Sequence, residues 1–344
     1  MRRDRIVGVT SAGAAALGAF ALGGLAAVLL ARRGAVADNT RRLVRAAPKP
    51  PESKPAAHTL PEPRPQLPSG MPAAIRAGRR LNHASGVLAV SVLLDSAVEH
   101  YRGSFENKAM ISPLISSALS IAASLHGVAD RRVVAHRARD AVYAIAGVSG
   151  FVGTGFHLYN ISKRPGGFSW LNLFYAAPIG APLALTLSRT LGFLAERLRD
   201  NDPRETPLVL GFPPGRVIAA LTGAGILGTV GEVGLLHFRG SFQNPAMFLP
   251  VTVPPAAAAL LGCCAIRHDG EPRQLTRWWL RATALLGIGG VGFHALGVAR
   301  AMGGWRNWSQ NLLNGPPLPA PPSFTGLSLA GLAALRLMEE HADA

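Results

Sequence analysis

Four histidines stand out by their spacing. His100 and His157 are 57 residues apart, and so are His237 and His294. Two imidazoles held at equal depth on facing segments form a donor set for a transition metal, above all the two axial positions of a haem iron. Arg102 and Arg239 follow two residues after His100 and His237. An arginine fork there suits haem propionates, a quinone head group or lipid phosphate, and plain interfacial anchoring explains it equally. Asp95 and Glu232 precede the same histidines by five residues. On a helix that is about 7.5 Å of depth and about 140° of rotation, so acid and histidine do not share a face cleanly. A two-His-one-carboxylate metal site is therefore disfavoured. Acids inside an apolar span remain functional candidates, the plainer alternative being a hydrogen bond to a neighbouring helix or an inner arginine.

These residues lie in an internal repeat. Asp95, His100, Tyr101, Arg102, Gly103, Ser104, Phe105, Asn107, Ala109 and Met110 answer to Glu232, His237, Phe238, Arg239, Gly240, Ser241, Phe242, Asn244, Ala246 and Met247. The offset of 137 then holds for Pro113 with Pro250, Gly155, Phe156 and His157 with Gly292, Phe293 and His294, and Gly166-Gly167 with Gly303-Gly304. Two inserted residues later, Asn172 answers to Asn311 and Pro182 to Pro321. Glycines recur seven, four and two residues before the third-span histidine: Gly150, Gly153 and Gly155, then Gly287, Gly290 and Gly292. Positions four and seven back share the histidine's face. A smooth face there admits a flat macrocycle, or lets two membrane helices pack closely.

The elements that must position these groups are apolar spans long enough to cross about 30 Å of hydrocarbon. Eight are expected, near 82–100, 110–127, 141–161, 171–195, 217–237, 245–265, 279–300 and 321–338. No sustained alternation suggests a barrel. The fold class expected is an all-α integral membrane protein of two tandem four-helix transmembrane modules, 81–197 and 216–339, plus an N-terminal anchor helix. An even number of spans per copy makes the repeat parallel. In an up-down bundle the first and third helices lie diagonally, which sets His100 against His157 and His237 against His294. Residues 1–33 form the expected anchor, their apolar run being too long for a cleaved signal core. Residues 34–80 are Pro-rich and charged, and read as a linker.

The chain has 344 residues, 49% hydrophobic and 16% charged, and a net charge of +16. The basic residues sit in short runs between apolar spans, which marks membrane topology rather than nucleic-acid binding. Most of them fall on the side of the 127–140, 196–216 and 266–281 loops, which makes that side cytoplasmic and puts the histidines near the outer face. The basic start, Met1 to Arg5, conflicts with this placement. Arginine far outnumbers lysine, a composition that points to a G+C-rich bacterium and hence an inner (plasma) membrane. Trp170, Trp305 and Trp308 fit an interfacial aromatic belt. Adjacent Cys263 and Cys264 cannot build a disulfide framework.

No P-loop, dinucleotide fingerprint, His-Glu-x-x-His or Gly-x-Ser-x-Gly motif is present, and no catalytic residue can be named. The layout is similar in outline to the haem b membrane subunits of dehydrogenases. That resemblance implies haem b on the two histidine pairs, with quinone or a periplasmic dehydrogenase as partner. The alternative is a non-redox transporter or membrane anchor, in which the histidines and acids are structural or bind protons or a metal. Both expectations stay open at this level.

Overall fold

The computed structural model describes residues 73–132, 134–176, 178–200, 208–266 and 273–340. The expected anchor and most of the expected linker lie outside them. The described chain is helical, with one isolated bridge between Val209 and Phe212 and no strand. The long helices are α1 (Ala73–Arg102), α2 (Ser112–Ala129), α3 (Arg137–Lys163), α5 (Gly180–Arg199), α6 (Pro214–Arg239), α7 (Leu249–Ile266), α8 (Arg273–Arg300) and α10 (Pro322–Glu340). The short α4 (Trp170–Tyr175) and α9 (Trp308–Asn314) lie in the loops before α5 and α10.

Packing divides these helices into inner and outer ones. α1, α5, α6 and α10 are mutual neighbours, with α1 against α5 and α10, and α6 against α5 and α10. α2 and α3 flank α1 and α5, while α7 and α8 flank α6 and α10. The apolar core runs through the inner group and into α7 and α8, with Leu81, Leu88, Leu191, Leu194, Ile218, Ile226, Leu280 and Leu327 almost fully buried. The outer helices turn large apolar side chains outward, among them Ile115, Leu119, Ile145, Val152, Leu285, Ile288 and Phe293. A belt of that kind is suited to lipid rather than water.

Among the described residues, six helices are long and apolar enough to cross a membrane: α1, α2 with the 3₁₀ turn before it, α3, α6, α7 with its 3₁₀ turn, and α8. Half of the apolar window of α1 is buried within the protein, but only 17% of that of α8, whose surroundings must be the bilayer. The chain is thus a multi-pass membrane protein. Two of the eight expected spans fall outside this set, for one shared reason. α5 and α10 are enclosed by other helices, so their sequences need not suit lipid. α5 carries Arg189, Glu196 and Arg199, all buried.

Two boundaries also differ from expectation. The span expected at 171–195 is two helices, interrupted where Pro178 cannot continue a hydrogen-bonded turn. The first long helix begins at Ala73 rather than near 81, because Ile75 and Ala77 are buried and Gly78 brings α1 against the Ala195 carbonyl of α5.

Candidate functional site

The matched segments around His100 and His237 fold into matching turns. After α1, Ser104 (φ 55°) and Phe105 (φ 48°) are left-handed. After α6, Ser241 (φ 55°) and Phe242 (φ 46°) are too. Two successive non-glycine residues in that region cost about 1–3 kcal/mol each, so their surroundings must hold them there. The His100 carbonyl accepts from the Phe105 N–H at 3.0 Å, and the His237 carbonyl from the Phe242 N–H at 3.0 Å. Asn107 and Asn244 each accept a backbone N–H at 2.9 Å, from Ala109 and Ala246. The loop closes on the histidine itself. His100 Nδ1 lies 2.6 Å from the Met110 carbonyl, and His237 Nδ1 lies 2.7 Å from the Met247 carbonyl. Much of the repeated motif is therefore the machinery of one turn.

The partner histidines are tied in the same way. His157 Nδ1 is 2.5 Å from the Pro178 carbonyl, at the break before α5. His294 Nδ1 is 2.7 Å from the Pro317 carbonyl, before α10. Asn172 and Asn311 fasten the loops that carry these prolines, each donating to two loop carbonyls at 2.7–3.1 Å. His100 and His157 lie within electrostatic range of each other, as do His237 and His294. All four side chains are half-buried.

A carbonyl oxygen only accepts, so each of the four imidazoles donates from Nδ1, which leaves Nε2 as the nitrogen open to a further partner. Among the described residues, no group hydrogen-bonds to any of these Nε2 atoms. Metal-bound histidines are held in this way, one ring nitrogen donating to a carbonyl or carboxylate and the other facing the metal. Among the described residues, no three His, Cys, Asp or Glu side chains converge on one point.

The repeated glycines serve helix packing. A Cβ added at Gly150 would come within 2.6 Å of Thr186 Oγ1 and 3.1 Å of the Pro182 carbonyl of α5. One at Gly287 would strike Thr325 and the Pro321 carbonyl at the start of α10. The faces that looked smooth enough for a macrocycle are thus covered by the fourth long helix of each half. Gly155 and Gly292 have nothing near them.

The remaining candidates stand apart from the imidazoles. Arg102 donates to Glu99 at 2.8 Å, on an exposed helix end. Arg239 stacks over the Tyr175 ring at 4.8 Å, joining α6 to the loop of the other half. Glu232 reaches across to the start of α5, with its carboxylate pressed on Gly180. Asp95 and Glu99 lie within electrostatic range of it, so the acids gather where the two halves meet. Trp170, Trp305 and Trp308 are exposed at the histidine end.

One feature escaped the sequence reading. The interior of the first half, away from the histidines, is a polar network. Arg139 forks onto Glu196 with two bonds of 2.8 Å and reaches Asp130 at 2.8 Å. Tyr143 donates to Asn82 at 2.8 Å, and Arg199 donates to the carbonyls of Gly127 and Asp130. Burial works against the Asp130 carboxylate, but the Arg132 N–H and the Arg139 guanidinium outweigh it and hold Asp130 below its usual range. The signal was available in the repeat register, which sets Asn82, Arg139, Tyr143, Glu196 and Arg199 opposite Ala219, Thr276, Leu280, Leu335 and Met338.

No protein-family model, no curated protein and no solved structure matches the chain.

Proposed function

We propose that the chain is a bacterial inner-membrane protein of two tandem, parallel four-helix modules, each binding one haem b between its histidine pair. His100 and His157 would hold one iron, and His237 and His294 the other. The observation that carries this reading is the common state of the four imidazoles, each with Nδ1–H tied to a backbone carbonyl and Nε2 without a partner. Two imidazoles without a third ligand suit haem iron, whose equatorial positions the macrocycle fills. Zinc and non-haem iron sites need three or four protein ligands. The helix neighbours support the diagonal arrangement, since α1 and α3 each pack on α2 and α5, and α6 and α8 each pack on α7 and α10.

Haem supplies one-electron transfer. The carbonyls of Met110, Pro178, Met247 and Pro317 would orient the imidazoles and set their tautomer. Both pairs sit near one end of the helices, which the distribution of arginines makes the outer face. The partners that suit this layout are an outer-face dehydrogenase as donor and a quinone in the outer leaflet as acceptor. A second reading, a non-redox transporter or anchor, draws on the glycine rows. Their faces are filled by α5 and α10, which leaves no ring-sized slot along them.

A reduced-minus-oxidised visible spectrum of the purified full chain, produced with haem supplied, separates the two. A sharp α-band with two haems per chain is the expected result. A flat spectrum from well-folded protein would overturn the haem reading and favour the second.

A further inference from the structure

We infer that the first half holds a buried site for one small inorganic anion of the halide class, formed by Arg189 and Ser117. The inference is independent of haem. Arg189 lies near the middle of α5, about 14–15 Å along the helix axis from either end. It is 1% exposed, and Ser117 on α2 is fully buried. A guanidinium stays charged in a protein interior and demands a compensating negative charge there.

No carboxylate meets that demand among the described residues. Arg189 Nη1 donates to the Leu185 carbonyl of its own helix at 3.1 Å, and Nη2 donates to Ser117 Oγ at 3.2 Å. Nε has no partner. The nearest buried carboxylate on the same helix, Glu196, is spent on Arg139 and the His136 N–H. Tyr143 is within electrostatic range, but its hydroxyl donates to Asn82 Oδ1 and so is a neutral phenol. Ser117 accepts from Arg189, which leaves its own O–H to donate.

The imbalance is thus of a definite kind. The centre has a positive charge and at least two donors, Arg189 Nε–H and the Ser117 hydroxyl, with no acceptor opposite them. A buried polar atom without a partner calls for an ion or water. A net positive charge selects an anion over water. The depth and enclosure of the site exclude lipid phosphate and bulky organic anions. The matched positions of the second half are Pro254 and Ser328, which carry no charge, so the stoichiometry is one anion per chain.

The test titrates the purified full chain, kept in sodium gluconate, with sodium bromide at constant sodium, by calorimetry and by thermal unfolding. Saturable binding of one bromide is expected, with an unfolding temperature higher by about 3–5 °C at about ten times the dissociation constant. Arg189→Ser installs the residue that the second half carries and should abolish both effects. Ser117→Ala should weaken binding by about 3–10-fold while the charge remains. Arg189→Lys should keep bromide binding, because a cation stays in place. Should Arg189→Ser fail to fold, the Ser117→Ala and Arg189→Lys pair decides. Absence of saturable binding to folded wild-type protein would overturn the inference. So would unchanged affinity in both Ser117→Ala and Arg189→Ser.

Discussion

Residues 73–200 and residues 208–340 agree at one end and disagree at the other. At the histidine end, four imidazoles meet four backbone carbonyls at 2.5–2.7 Å, in the same pattern twice. At the opposite end, the first half is held by Arg139, Glu196, Asp130, Tyr143 and Asn82. At the positions matched to Asn82, Tyr143, Glu196 and Arg139, residues 208–340 carry Ala219, Leu280 and Leu335 of the apolar core and the small polar Thr276. One helix arrangement therefore accepts either kind of interior. The polar one needs every partner present, whereas the apolar one asks only for volume. What the two regions share is the tie from each imidazole Nδ1 to a backbone carbonyl.

The largest effect that would sharpen this contrast is expected at Glu196. Glu196→Leu installs the second half's residue but leaves Arg139 buried beside a single remaining carboxylate. A loss of about 3–5 kcal/mol is expected, seen as aggregation or a lower unfolding temperature in detergent. Adding Arg139→Thr, the second half's residue, should restore most of that loss. Failure of the double variant to recover would show that the two interiors are not interchangeable.

A smaller effect is expected from the glycine rows. Gly150→Ala meets Thr186 and the Pro182 carbonyl, and should cost about 1–3 kcal/mol. Gly155→Ala meets nothing and should change stability by less than about 0.5 kcal/mol. The same pair of outcomes is expected for Gly287 and Gly292. Equal effects at Gly150 and Gly155 would argue against the close helix approach.

Smaller again is the loss expected on removing the Tyr143 hydroxyl. Tyr143→Phe should cost about 1–2 kcal/mol, because Asn82 is left with a buried unmatched acceptor. Leu280→Phe, at the matched place, removes no hydrogen bond and is read only as an overpacking test.

The smallest is a pH effect confined to the first half. Asp130 titrates below its ordinary value in the folded protein. Its contribution to stability is therefore fully present above the unfolded value of 3.8 and is lost as the pH falls through the lower folded value. Unfolding followed from pH 5 to pH 2 should show a decline that Asp130→Asn reduces.

Much of this organisation could be read before any coordinates. Repeated apolar runs announce membrane helices. Periodicity does not reveal which helices are enclosed by others, so α5 and α10 read as spans like the rest. The break at Pro178 was hidden inside one apolar run. The role of Glu232 was hidden too, because its partner Gly180 belongs to the other half and no local pattern links them. The polar network leaves no repeated pattern in the sequence, because its residues have no like partners at the matched positions.

Haem content per chain in three variants tests the two histidine pairs most directly. Two haems are expected in the wild type, one in His157→Ala, one in His294→Ala and none in the double variant, each protein remaining folded. A wild type that folds with haem supplied and yet carries none would contradict haem binding at these pairs, as would a double variant that retains the full α-band.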